Sequence, residues 1–316
     1  MRRVALIYNP ASGQYSGRRA AAIDGVVSVL RKAGIEAEAL ETDAPGSARA
    51  LARMAIRGGF DTILACGGDG TVHEVLQSVA GTEVALGVIP LGTANALAQD
   101  LGLGRSPVRA VRKLLDATPV AVPVGRVTFR DAQGVERARY FTVAAGVGAD
   151  ALLMKSMDAG LKRRLGYALY LFEAVRIWAT HPFPLFQARF TLQDDGSTHA
   201  ADISQLLAIR IRSFGGALGA LAPGASVHSG SLSLISFATR SRLRYMRFLL
   251  AVLAGRHTFR DSVELVNATA VECLPRNGSK RPIYVEADGE ALGQLPARME
   301  MAAQTLMLLV PRDAQP

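Results

Sequence analysis

The run Thr62-Ile63-Leu64-Ala65-Cys66-Gly67-Gly68-Asp69-Gly70-Thr71 decides how the chain is read. A short apolar strand enters it, three glycines around one acid break the strand, and a helix leaves from Thr71 to about Val79. Glycine lets a backbone approach a ligand closely and take positive φ, so successive N–H groups can converge on one anion. The helix N-terminus adds its positive end, and the Thr71 hydroxyl can donate as well. Asp69 would repel phosphate directly; its task beside one is to orient a magnesium-bound water or the metal itself. The same residues also read as a tight strand-to-helix turn with Thr71 as the helix cap.

Outward from this run the pattern repeats. Val4–Tyr8 is strand-like and is broken by Asn9-Pro10-Ala11-Ser12-Gly13; helix signals follow over 17–33 and stop at Gly34. A strand over 35–40 and a helix over 47–58 come next. After the central run, Val84–Pro90 is a strand, Leu91-Gly92-Thr93 a loop, and 94–101 a helix. Strands alternating with helices predict a parallel sheet covered on both faces, with ligands at the carboxyl ends of its strands. The loops at Asn9–Gly13 and Gly92–Asn95 fall there too, each rich in amide, hydroxyl and glycine groups; singly, each is also an ordinary cap. No Lys-Ser/Thr follows the central glycines, G-x-G-x-x-G is absent, and so are H-R-D and D-F-G. P-loop, dinucleotide-fingerprint and protein-kinase readings are therefore set aside.

Past Pro119 the texture changes to strands separated by turns such as Asp194-Asp195-Gly196. The strands expected are 120–127, 139–145, 186–192, 203–212, 232–237, 262–274, 283–287 and 305–310, with helices over 164–179 and 240–254. This half reads as mostly antiparallel β. The expected division is an α/β domain over 1–120, a β-rich domain over 121–303, and a last strand over 304–316 returning to the first.

The 316 residues agree with about two domains. With 49% hydrophobic and 20% charged residues, disorder is excluded, and two cysteines exclude a disulfide scaffold or multi-cysteine zinc site. No apolar run is long enough for a transmembrane helix, and the N-terminal one is too short for a signal peptide, so a cytoplasmic protein is expected. A net charge of +9 and a mean hydropathy of +0.20 suggest anionic partners and a lipid surface. From Thr239 to Arg260 there are six arginines (240, 242, 244, 247, 256 and 260) among leucines and aromatics, with no acid. That composition suits a helix resting on an anionic membrane, and equally a solvated basic face. No nucleic-acid motif accompanies it, and no nucleic-acid partner is expected.

The chain resembles the diacylglycerol kinase catalytic-domain superfamily, which includes bacterial soluble lipid kinases and the sphingosine and ceramide kinases. The resemblance rests on Asn9-Pro10-Ala11-Ser12-Gly13, Gly67-Gly68-Asp69-Gly70-Thr71 with Glu74, Pro90-Leu91-Gly92-Thr93 with Asn95, and Asp288-Gly289-Glu290. Weaker matches are Thr42, Leu165-Gly166-Tyr167, and Phe214-Gly215-Gly216 with Ala222-Pro223. It implies a nucleotide-binding α/β domain followed by a β-sandwich, with ATP and lipid meeting between them. On it, Asn9, Ser12, Gly13, Thr42, Gly67–Thr71, Glu74, Gly92, Thr93 and Asn95 face ATP, and Asp69 faces Mg2+. Phosphoryl transfer to an alcohol needs an acceptor for the hydroxyl proton. Asp288-Gly289 alone is an ordinary hairpin turn; the resemblance makes Asp288 the general base and brings Glu290 to the nucleotide or metal region.

Three positions depart from the family pattern. Ala96 stands where many bacterial members carry Asp, although the sphingosine kinase branch also reads Asn-Ala-Leu-Ala. His228-Ser229-Gly230 replaces Asp-Asp-Gly, so the family's structural magnesium site in the second domain is expected to be missing. Arg210 stands where Asn is expected. The function expected is ATP- and Mg2+-dependent phosphorylation of a lipid hydroxyl: diacylglycerol or a related glycerolipid first, a sphingoid or ceramide-type lipid second. Two rival functions fit the same motifs: an NAD kinase, which shares Gly-Gly-Asp-Gly, and an inactive nucleotide or lipid-binding regulator. A peripheral membrane location is expected, and a homodimer stays open.

Overall fold

A computed structural model describes residues 1–10, 19–156, 172–214, 221–255, 262–276, 278 and 281–314. Ser12, Gly13, the 165–167 and 215–216 motif residues, Arg256 and Arg260 lie outside them. The chain forms two compact units, Met1–Val124 with Ala303–Pro316, and Gly125–Ala302.

In the first unit the elements run β1 (Arg3–Tyr8), α1 (Arg19–Lys32), β2 (Glu36–Glu41), α2 (Ser47–Arg57), β3 (Thr62–Gly67), α3 (Asp69–Val79), β4 (Ala85–Pro90), α4 (Ala96–Asp100) and α5 (Pro107–Leu115). The parallel order is β2-β1-β3-β4, and the last residues of β14 (Glu290–Val310) join β4 in parallel, Leu308 beside Leu86. Every residue of β3 and β4 is buried, the signature of strands covered on both faces. Strand β2 lies at the edge and alternates Glu with Ala and Leu, which keeps its open side charged. The expected elements do not include α5, although Ser106-Pro107 is its start signal: the Ser106 side chain accepts from Arg109 N–H, and Pro107 sits at the first turn.

Strand β5 (Thr118–Arg130) carries the chain into the second unit, and β14 carries it back. Between them come β6 (Glu136–Phe141), β7 (Ala144–Val147), α6 (Ala149–Ser156), helix α7 over 172–180, β8 (Phe186–Leu192), β9 (Thr198–Ile203), β10 (Gln205–Ile209), β11 (Leu232–Phe237), α8 (Arg242–Leu253), β12 (Val263–Pro275) and β13 (Tyr284–Ala287). Pairing is antiparallel in the order β14-β13-β7-β10-β11-β12-β8-β9. A further β12–β14 pairing, Ala270 beside Glu300, closes six of these strands into a ring around an apolar core that includes Val147, Leu206, Leu234 and Met299. The fold class is thus α/β with a parallel sheet, followed by an antiparallel β-rich domain. Cys66 in β3 and Cys273 in β12 are free and buried.

Candidate functional site

In the first unit the predicted ligand groups fall in one row. Tyr8, the last residue of β1, pairs with Glu41 on one side and Cys66 on the other, and Gly67 pairs with Pro90. Asn9, Thr42, Gly67 and Gly92 therefore leave adjacent strands at the same carboxyl edge. Strand order reverses between β1 and β3, which is where open α/β sheets form their crevice.

The two glycine loops are built against each other. The Leu91 and Gly92 N–H groups both donate to the Gly67 carbonyl, at 2.9 and 3.1 Å. Asp69 accepts from Asn95 N–H at 3.0 Å on Oδ2 and from Ala96 N–H at 2.7 Å on Oδ1. Asn95, held at φ 50°, folds its side chain back onto Gly92 N–H and carbonyl at 2.9 and 2.7 Å. A Cβ on Gly92 would lie 2.4 Å from Gly68 Cα, so only glycine allows this crossing. Asp69 thus caps α4 and pins the second loop to the first. Among the described residues no three His, Cys, Asp or Glu side chains form a metal cluster.

Helix α3 begins at Gly68 with no side-chain cap among the described residues, while Thr71 is buried and Thr93 exposed. Glu74, predicted at the nucleotide, uses both carboxylate oxygens on the N-terminus of α2: Gly46 N–H reaches it at 2.8 Å and Ala48 N–H at 3.1 Å. It thereby fixes the segment after Thr42, whose own N–H donates to Tyr8 carbonyl at 2.9 Å. His73 lies on α3 and is buried.

In the second unit Asp288 and Gly289 form a two-residue hairpin turn between β13 and β14, with φ of 50° and 82° and Ala287 paired to Glu290. The turn aims the Asp288 carboxylate inward, where it is 6% exposed. Its Oδ1 accepts from Val143 N–H at 2.9 Å, Ala144 N–H at 3.2 Å and Thr142 N–H at 3.3 Å; Thr142 N–H also reaches Oδ2 at 3.1 Å. Asp288 N–H donates to Ala144 carbonyl at 2.8 Å. Three successive amides therefore orient one acid, and the buried Thr142 Oγ1 beside them has no hydrogen-bond partner among the described residues. Glu290, predicted to work with Asp288, opens β14 and is exposed.

Sequence reasoning missed the groups behind Asp288. Asp150 and Glu286 crowd the space over Gly146: a Cβ there would meet Asp150 Oδ2 at 1.9 Å and Glu286 Oε1 at 3.0 Å. Gln205 donates to Asp150 Oδ1, and Gly289 N–H to Glu286 Oε2 at 2.9 Å. Burial pushes Asp150 up to about 6, and burial reinforced by the Asp150 charge raises Glu286 well above the carboxylate range. An acid in the apolar strand Ile283-Tyr284-Val285-Glu286-Ala287 was the available signal. Arg210, wholly buried, donates to the Val227 and Ser229 carbonyls at 2.8 and 3.2 Å and holds the loop that carries His228. Burial lowers its pKa to about 10, against the opposing pull of Asp288.

The carboxylate pair has a testable pH signature. Acids raised by folding bind protons more tightly in the native state, so the stability they contribute is full below the unfolded carboxylate range and is lost as pH rises through about 6. Melting temperature should therefore fall from pH 4.5 to pH 7.5, and Glu286→Gln, which keeps the acceptor for Gly289, should flatten that fall. An unchanged slope in a thermal series would remove the pair as its cause.

The fold sets two crossed glycine loops on a parallel sheet and an oriented acid in a β-rich second unit, and comparison with known proteins gives its class. Residues 3–127 match the diacylglycerol kinase catalytic domain, and residues 142–310 match the YegS C-terminal NAD kinase beta sandwich-like domain. The chain belongs to the diacylglycerol kinase catalytic-domain family, a family of lipid kinases. It is 30% identical to the diacylglycerol kinase of Mycobacterium tuberculosis H37Rv, over 98% of this chain and 96% of that one. Against the diacylglycerol kinase of Bacillus subtilis 168 the identity is 27%, over 99% and 98%. Among solved structures, a diacylglycerol kinase from Bacillus anthracis Sterne superposes with a TM-score of 0.69 at 18% identity, covering 99% and 98%. Yeast NADH kinase complexed with NADH gives 0.53 at 10% identity, covering 98% of this chain and 83% of that one. These two show likeness of fold.

Proposed function

We propose that the chain transfers the γ-phosphoryl group of ATP, bound as its magnesium complex, to the free hydroxyl of diacylglycerol or a related glycerolipid at a membrane. The observation that carries this reading is the Gly67–Thr71 loop locked against Gly92–Asn95 at the carboxyl edge of the parallel sheet. Backbone N–H groups around Gly68 to Gly70 and the start of α3 bind the phosphates, with Asn9, Thr42 and Thr93 on the same edge toward ribose and phosphate oxygens. Asp69 acts by holding the two loops in register, and Glu74 by fixing the α2 start. Asp288 Oδ2 takes the proton of the lipid hydroxyl as the oxygen attacks phosphorus, and the bond from phosphorus to the ADP leaving oxygen breaks. Magnesium arriving with ATP would supply positive charge to neutralise the transferring phosphoryl group.

Labelled ATP offered with diacylglycerol, sphingosine, ceramide and NAD in parallel tests the reading. The expected product is labelled phosphatidic acid. Label in NADP instead would select the second reading, favoured by the fold likeness to NADH kinase, and nucleotide binding with no transfer to any acceptor would select a regulator.

A further inference from the structure

Helix α8 is apolar in two directions. Inward, Tyr245 stacks on Phe237 with ring centroids 4.7 Å apart, Phe248 meets Phe237 edge-on at 5.1 Å, and Val252 is buried. These two ring contacts and the burial of Val252 seat the helix on the β-rich unit. Outward, Leu243, Leu250 and Leu253 are 73%, 56% and 48% exposed, with Met246 half-buried in line with them. Spacings of three, four and three residues place all four on one stripe of the helix. The ordinary surface helix is apolar toward the core only and charged toward water.

Arginines border the stripe. Arg242 and Arg247 are exposed, and Arg244 donates to Ser262 Oγ at 3.1 Å. Residues 239–260 contain no acid. Helix α7 is tied alongside, Trp178 Nε1 donating to the Arg242 carbonyl at 3.1 Å, and it exposes Phe172 at 65%. A second copy of this chain would set arginine against arginine. An anionic lipid surface complements both parts: lipid phosphates pair with the guanidinium border, and acyl chains take the leucines.

We propose that the outward stripe of α8, Leu243, Met246, Leu250 and Leu253, inserts into an anionic membrane surface with Arg242 and Arg247 at the headgroups. The proposal goes beyond the phosphotransfer reading, because binding is read without ATP. The full chain is sedimented with vesicles of phosphatidylcholine, with and without phosphatidylglycerol. Binding to the anionic vesicles that weakens at high salt is expected. Leu243→Asp/Leu250→Asp should lower it tenfold or more, and Arg242→Gln/Arg247→Gln about 30-fold. The leucine variant should keep its turnover of a water-soluble short-chain diacylglycerol and lose it on vesicle-embedded substrate. A parent enzyme inactive on both substrates would sink the kinase reading and leave the vesicle result standing. Absence of vesicle binding, equal binding by parent and both variants, or a dimer that Leu243→Asp/Leu250→Asp splits in sedimentation equilibrium would overturn the proposal.

Discussion

An Asp288→Asn enzyme is expected to bind ATP as the parent does and to lose about 1,000-fold in turnover on its lipid substrate, the middle of the range for removal of a general base. The substitution isolates chemistry from folding for two reasons. Residue 288 sits at φ 50° in its hairpin, a conformation that asparagine tolerates about as well as aspartate. An amide oxygen can also keep the bonds from Thr142, Val143 and Ala144 that orient the side chain. What asparagine cannot do is take a proton. Single-turnover rates with labelled ATP, beside nucleotide affinity and melting temperature, check this. Turnover within a few-fold of the parent would sink the assignment of Asp288 as base.

Gly68→Asp should abolish nucleotide binding, by about 100-fold or more in Kd, while leaving the melting temperature level or higher. Gly68 has φ −92° and ψ −174°, which any residue adopts, and a Cβ there would lie 3.4 Å from Gly92 Cα, ordinary contact. It is also the N-cap of α3, a position where aspartate normally stabilises a helix. The new carboxylate would occupy the N–H groups meant for phosphate and repel it as well. Fold and ligand binding are thus expected to respond in opposite directions. Gly92→Ala offers the contrast, since it would force the two loops apart and harm both. Titration with ATP beside a thermal melt separates the variants, and unchanged ATP affinity in Gly68→Asp would refute the phosphate assignment.

Much of the first unit was legible because parallel strands buried on both faces write themselves as apolar runs, and β3 and β4 are such runs. The expected central strand, 62–66, differs from the observed one by a single residue. Strand β9, Thr198–Ile203, carries Thr, His and Asp on a largely exposed edge, and no apolar alternation announced it. No element is expected over 290–304, yet these residues belong to a single 21-residue strand, to which β13, β12 and β4 supply partners in turn. At the site, motif residues could be named from sequence, whereas their bonding could not. Asp69 and Glu74 look like ligand groups in one dimension; in three, their oxygens meet backbone N–H groups from segments more than 25 residues away. Asp150 and Glu286, 136 positions apart (286 − 150), become neighbours only through the pairing of β7 with β13.

The burial of Cys66 and Cys273 has a practical consequence. Both thiols are raised well above the ordinary cysteine range by loss of solvent, so neither forms the thiolate that maleimides and oxidants attack. The folded protein is therefore expected to take up no maleimide at either cysteine. A single Leu250→Cys or Leu243→Cys substitution would carry an environment-sensitive dye with no background to remove, and its emission would follow the approach of α8 to a bilayer in real time.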